Sequence, residues 1–206
     1  TTEIYTLSLH DALPICLVQR CEIVGNYALN SGGGVHLRAG AVLADTIVRD
    51  NVGDWEVGGG VYCQQGGTVT NCVIVGNIAG YGGGVRLESG GRVDRSILRD
   101  NYAWYAGGAA HAEHGGVVSG CFLFNNWSRE LGGGAVLSYG GTLENSALLN
   151  NHAEFQGGAI VFDGPKGIVR QCTLTGNSAG RSGAAWQGAN AEVTVVNSIA
   201  WGNSGL

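Results

Sequence analysis

The sequence predicts an all-β fold: a right-handed, single-stranded parallel β-helix of about seven coils, each 24–26 residues long and holding three short strands. Three observations predict it. An Asn returns at Asn26, Asn51, Asn77, Asn101, Asn126, Asn151, Asn177 and Asn203, at intervals of 24 to 26 residues. A run of small residues follows each of the first seven: Gly32-Gly33-Gly34, Gly58-Gly59-Gly60, Gly82-Gly83-Gly84, Gly107-Gly108-Ala109, Gly132-Gly133-Gly134, Gly157-Gly158-Ala159 and Ser182-Gly183-Ala184. Between these markers apolar and polar residues alternate, as in Val35-His36-Leu37-Arg38 and Val85-Arg86-Leu87-Glu88. Alternation with a period of two means strands, and two markers keeping one longer period mean a repeat.

The elements follow in order. Thr1 to Ile15 reads TTEIYTLSLHDALPI and shares nothing with the repeat. It resembles the translation of a short-read sequencing adapter, residue for residue. It is therefore set apart as non-native sequence, His10 and Asp11 are left out of any site, and residues 16–206 are taken as a truncated, uncapped β-helix domain. Within each coil the Asn suits a sharp turn, because it tolerates the left-handed region and its amide can bond its copy one coil away. The triplet is expected to be Gly because stacked turns need positive φ and leave no room for a β-carbon. An alternating strand comes next, then a Gly turn and a second apolar piece ending near Val42, Val69, Val93, Val118, Leu143, Val169 or Val193. No such piece buries a face alone, so coils stack at the parallel-strand spacing of about 4.8 Å.

Five residues before each Asn stand Cys21, Thr46, Cys72, Ser96, Cys121, Ser146, Cys172 and Ser198. Cys recurs only on alternate coils, so successive thiols lie roughly 10 Å apart, beyond disulfide reach. Cys16 and Cys63 also lack an evident partner, and free thiols with no disulfide are expected. There is no CxxC and no His/Cys cluster at metal spacing, so no metal and no cofactor is expected.

Composition narrows the function. Gly is 38 of 206 residues with only 2 Pro, too apolar for disorder and without the collagen period. A net charge of -5 with scattered Arg argues against a nucleic-acid partner. No apolar run reaches the eighteen or so residues of a membrane-spanning helix.

The Asn ladder and the triplets, including Gly157-Gly158-Ala159-Ile160, make the chain resemble the pectin-lyase-like superfamily of right-handed β-helices. Within it the likeness is to polymorphic outer-membrane and autotransporter-like adhesin repeats, whose GGAI element those residues match. Their FxxN element is met loosely at Phe122 to Asn125. The resemblance covers residues 16–206 and implies an extracellular or cell-surface bacterial protein. It does not choose among lyases, hydrolases, epimerases, tailspikes and adhesins.

Candidate sites come from the side chains that alternation points outward. After the triplets these are His36, Arg38, Tyr62, Gln64, Arg86, Glu88, His111 and Glu113, fading to Val136, Ser138, Val161, Asp163 and Trp186. Glu88 and Glu113, one coil apart, have the spacing of a glycosidase carboxylate pair, while Arg86 and His111 suit a carboxylate clamp and a base for a lyase. The competing reading is a solvated strand face. A second surface is the segment between each Asn and the next triplet, expected to be a loop. There Trp55, Tyr81, Tyr102, Trp104, Tyr105, Trp127 and Phe155 are expected to form an aromatic stripe for stacking on sugars, with Asp54, Glu56, Glu130 and Glu154 for hydroxyls. The competing reading is rings that merely cover turn backbone. A third surface exposes Ile47, Val73, Ile97, Phe122 and Ile199, with Val24, Val75, Phe124, Leu149 and Trp201 beside them. This apolar face and the coil ends are where self-association is expected. The sequon at Asn126 belongs to the ladder and is expected to be buried.

The leading expectation is thus a non-catalytic exported surface segment, adhesin-like, binding a polysaccharide, a host or cell-surface glycan, or partner proteins. The alternative is a carbohydrate-active enzyme, a polysaccharide lyase or glycoside hydrolase. A concave groove over Glu88 and Glu113 separates the second from the first.

Overall fold

The structure, a computed structural model, describes residues 16–55, 57–188 and 192–205. The adapter-like segment and Glu56 lie outside the described residues. The chain winds as a parallel solenoid, and each strand pairs with its copies in the coils before and after. The third coil shows the unit: strands at Thr68–Thr70, Val73–Val75, Ile78–Tyr81 and Val85–Glu88. Their copies build four sheets, three of eight strands and a fourth, ending each coil, of seven. Seven complete coils therefore stand in register, with three strands of another.

The expectation of three strands per coil is corrected to four. The extra one follows the Asn, where a loop was expected, and it is often only two residues long, as at Val52–Gly53 and Trp127–Ser128. It forms because the stacked Asn fixes the backbone just before it: the residue after each Asn donates its N–H to the carbonyl of the preceding coil's Asn, as Ile78 does to Asn51 at 2.9 Å.

The core consists of columns one residue wide. The first sheet sends Leu43, Val69, Val93, Val118, Leu143 and Val169 inward, and the second sends Ile23, Val48, Ile74, Leu98, Leu123, Leu148 and Leu174. All of these are buried. In the fourth sheet Ala112 sits between Leu87 and Leu137, a small residue offsetting large neighbours.

The Asn column is a continuous hydrogen-bonded ladder. Asn101 receives Asn77 Nδ2 at 3.0 Å and the Asn77 backbone N–H at 3.0 Å, and donates Nδ2 to Asn126 Oδ1 at 3.0 Å and to the Ile74 carbonyl at 3.0 Å. Asn51, Asn77, Asn126, Asn151 and Asn177 repeat the pattern and are buried, while Asn26 and Asn203 at its ends are partly exposed. The Asn126 sequon amide is spent in this ladder.

The Cys column alternates with hydroxyls. Cys72 donates its N–H to Ser96 Oγ at 3.1 Å and Cys121 to Ser146 Oγ at 3.0 Å, while each hydroxyl donates to a carbonyl two residues back. All six thiols are free; Cys63, Cys72, Cys121 and Cys172 are buried, and Cys16 and Cys21 are half-buried.

The triplet glycines divide the labour expected of them. Only the first takes positive φ, and only on some coils, as at Gly82 (+60°) and Gly132 (+61°). The second, except Gly183 in the last triplet, lies against backbone carbonyls of the next coil, where a β-carbon would collide.

Candidate functional site

The outward residues of the fourth sheet form one row across the coils: His36, Tyr62, Arg86, His111, Val136, Val161 and Trp186 are in register. Beside it run Gln64 and Glu88, then Glu113, Ser138 and Asp163. Over the first three coils this face is the floor of a groove of about 580 Å³, formed by His36, Arg38, Tyr62, Gln64, Arg86 and Glu88. Leu29, Asn30, Asp54, Trp55 and Val57, from the segments ahead of the triplets, make its wall. Trp55 keeps 61% of its surface exposed. His36 stacks on Tyr62 at 4.9 Å, and burial, then the charge of Arg38, pull its pKa below the ordinary imidazole value against a hydrogen bond with Gln64.

Beyond the groove, aromatic rings lie over the fourth sheet. The Trp55 segment leans across the third coil, and a β-carbon at Gly80 would collide with the Trp55 carbonyl oxygen, so the approach needs glycine there. Trp55 thereby reaches Tyr105 of the fourth coil at 5.8 Å, Tyr105 meets Tyr81 at 5.4 Å, and Tyr81 lies over His111 at 5.5 Å. Arg86 is held between Tyr62 and Tyr81, its guanidinium carbon 5.8 and 5.4 Å from the ring centres, and donates to Glu113 Oε2 at 3.2 Å. His114 Nδ1 stands 3.5 Å from Glu113 Oε1, with its ring stacked on Tyr139.

The four residues named for catalysis are neighbours with different environments. Glu88 faces the groove, and burial, then the charge of Glu113, raise its pKa against the opposing pull of His114. Glu113 is engaged by Arg86. His111 is only 7% exposed, with Nε2 3.0 Å from Ser138 Oγ and Nδ1 without a hydrogen bond among the described residues. Burial first, then Arg86, pull its pKa down to about 4, so its imidazole is neutral at neutral pH and sealed beneath Tyr81. The reading of His111 as a base that meets substrate is corrected on that ground. The reading of this row as a uniformly solvated face is corrected as well, since Tyr62, His111, Val136 and Val161 are all buried.

The aromatic stripe is corrected to three separate groups. Trp55, Tyr81 and Tyr105 fold over the fourth sheet. Tyr102, Trp104 and Trp127 stand on the third sheet and pack edge-to-face, Tyr102 against Trp104 at 83° and against Trp127 at 61°. Trp127 also meets the edge of His152, so these rings cover one another and offer no row of parallel platforms. Phe155 is alone under Arg181, whose guanidinium carbon is 4.7 Å from the ring centre. On the second sheet Ile47, Ile97, Phe122 and Ile199 are exposed beside Val24 and Trp201, whereas Val73, Val75, Phe124 and Leu149 are half-buried.

Alternation marks His36, Arg38, Tyr62 and Gln64 as outward, but it does not give concavity. Leu29 and Asn30 carry no pattern at all, and Gly80, the residue at the crossing, has a counterpart in Gly180 away from the groove. In the same register position other coils carry Leu29, Asp54, Trp104, Arg129 and Glu154, and the seventh coil carries Gly180, where a β-carbon would likewise collide with a carbonyl of the preceding coil, that of Glu154.

Among known proteins, the family described as right handed beta helix region matches residues 45–200. No curated protein and no solved structure matches the chain.

Proposed function

The chain belongs to the right-handed β-helix family, and on that premise we propose that it is an exported surface solenoid whose groove over the first three coils binds an extended glycan. The observation that carries this reading is the exposed Trp55 indole set beside a floor of Arg38, Gln64 and Glu88. A sugar ring needs both: an aromatic face for its C–H surface, and fixed donors and acceptors for its hydroxyls. The floor residues come from the same register position on successive coils, so the groove follows the solenoid axis and suits a chain more than a single ring. Neutral His36 adds a group that can accept or donate.

The test is a glycan array probed with the full chain, followed by Trp55→Ala and Arg38→Ala on whatever glycan is retained. Both variants are expected to weaken binding while melting at the wild-type temperature. Undiminished binding in both removes the groove from the reading and returns attention to Trp104 and Trp127.

A further inference from the structure

The charges that line the groove stand in a fixed order along the solenoid axis. Arg38, Gln64 and Glu88 all face it, and they hold one place on three successive strands: Gln64 pairs with Glu88, while Arg38 and Gln64 directly follow the paired Leu37 and Cys63. The first coil thus offers a cation, the second a neutral amide and the third a carboxylate, on strands whose outer two are roughly 10 Å apart. We propose that the groove selects a zwitterionic glycan, one that carries carboxylates and free amines along the same chain, with an acid held at Arg38 and an amine at Glu88. The proposal rests on the glycan-binding reading above and names the class of chain that the groove takes.

Neither end of this row is neutralised by the protein. Arg38 is exposed and forms no ion pair among the described residues, and the same holds for half-buried Glu88 and for Asp54 in the wall. Arg86, the other cation of the lining, is already engaged: it donates to Glu113 Oε2 at 3.2 Å and lies between the Tyr62 and Tyr81 rings. What remains for a ligand is one positive group at the first coil and two negative ones at the second and third.

That distribution fits neither single-sign chain. A glycan with acids alone would set them against Asp54 and Glu88, and one with amines alone would set them against Arg38; each such contact subtracts from affinity. A chain with both signs can meet each outer group with its opposite, while Gln64 between them donates and accepts as uncharged ring hydroxyls require. Because the two ends differ in sign, the row also fixes which way the chain lies.

The experiment titrates the full chain at neutral pH with oligosaccharides of one backbone and matched length: neutral chitin, chitosan with amines alone, 6-carboxychitin with acids alone, and 6-carboxychitosan with both. Calorimetry should show the last held about tenfold more tightly than either single-sign form. The advantage should vanish in about 1 M salt, where screening acts within about 3 Å. Arg38→Glu leaves only acids along the row and should turn the preference to chitosan; Glu88→Arg should turn it to 6-carboxychitin. These exchanges of preference are readouts that a merely structural role would not give. Should Glu88→Arg fail to fold, Glu88→Gln serves instead and should hold 6-carboxychitosan and 6-carboxychitin alike. Equal or tighter retention of a single-sign or neutral form by the wild type, or preferences that do not move with Arg38→Glu and the Glu88 variant, overturns the inference and leaves the glycan-binding reading standing. Retention of none of the four also overturns it; the glycan-binding reading then stands only if the array retains another glycan, and falls with it otherwise.

Discussion

The fourth sheet presents two halves built on one strand pattern. In its first three coils the outward row is His36, Tyr62 and Arg86 and opens into a groove. In its last three the same row is Val136, Val161 and Trp186, and Val136 and Val161 pack with Ala106 into a second hydrophobic cluster covered by Tyr105 and Leu131. The inward residues beneath the second and third coils (Val61, Cys63, Val85, Leu87) and beneath the fifth and sixth (Ala135, Leu137, Ile160, Phe162) are all buried. Stacking constrains what points inward and leaves the outward row free, so a change along that row reports what the surface is for.

Substitutions can break this contrast or sharpen it. The largest effect is expected where the surface is sealed. Val161 is fully buried, and Val161→Glu places an unpaired carboxylate there, at a cost of about 4 kcal/mol in urea unfolding. Gln64→Glu, in the half-buried groove floor, should cost under about 1 kcal/mol. Equal losses would mean that the two halves are not differently covered.

Next comes the frame common to both. Asn77→Ala strands the Asn51 N–H and amide and the Val48 carbonyl; Asn151→Ala strands the Asn126 N–H and amide and the Leu123 carbonyl. Each should destabilise by about 3 kcal/mol, and the two values should agree within about 1 kcal/mol. A marked difference would show that one half leans on its ladder more than the other.

Binding should separate the halves by a smaller energy. Trp55→Ala should weaken glycan retention by about 1 kcal/mol, roughly fivefold, and Trp186→Ala should leave it unchanged in affinity electrophoresis.

The smallest effect is in pH. The Arg170 hydrogen bonds, more than those of Ser119 and the charge of Arg92, hold the Glu144 pKa below the ordinary 4.5 against its burial. Its stabilisation is therefore complete above 4.5 and lost as pH falls through the lowered folded value. Glu88 has the opposite sign: its raised pKa means stability is lost as pH rises from 4.5 through the folded value. Unfolding midpoints for Glu144→Gln should fall below wild type at neutral pH and approach it in acid, while Glu88→Gln should gain on wild type as pH rises. Matching slopes would contradict this.

Much of the frame was legible because it repeats. The Asn interval and the triplets locate every coil, and alternation assigns inward and outward sides correctly at Val85-Arg86-Leu87-Glu88. The third sheet was not legible, since strands such as Tyr27–Ala28 and Ser178–Ala179 are too short for alternation to register. The candidate site was legible only as a set of outward side chains. Its walls depend on which way Leu29, Asn30 and Trp55 lean, a tertiary outcome set by contacts between coils, and the close approach of the Trp55 backbone depends on the glycine at position 80. Periodicity reports what coils share, and the groove is made of what they do not.

The alternation of thiol and hydroxyl along one column constrains how such a chain can grow or shrink. Removing a coil that carries a hydroxyl, or duplicating one that carries a cysteine, would set two cysteines on neighbouring strands, their Cα atoms about 4.8 Å apart and within disulfide range. Removing two coils together keeps the order of Cys72, Ser96, Cys121 and Ser146 intact. A cysteine-bearing coil can therefore be added without a redox-sensitive crosslink only together with a hydroxyl-bearing one, and a designer or a genome recombining such coils has reason to move the two kinds together.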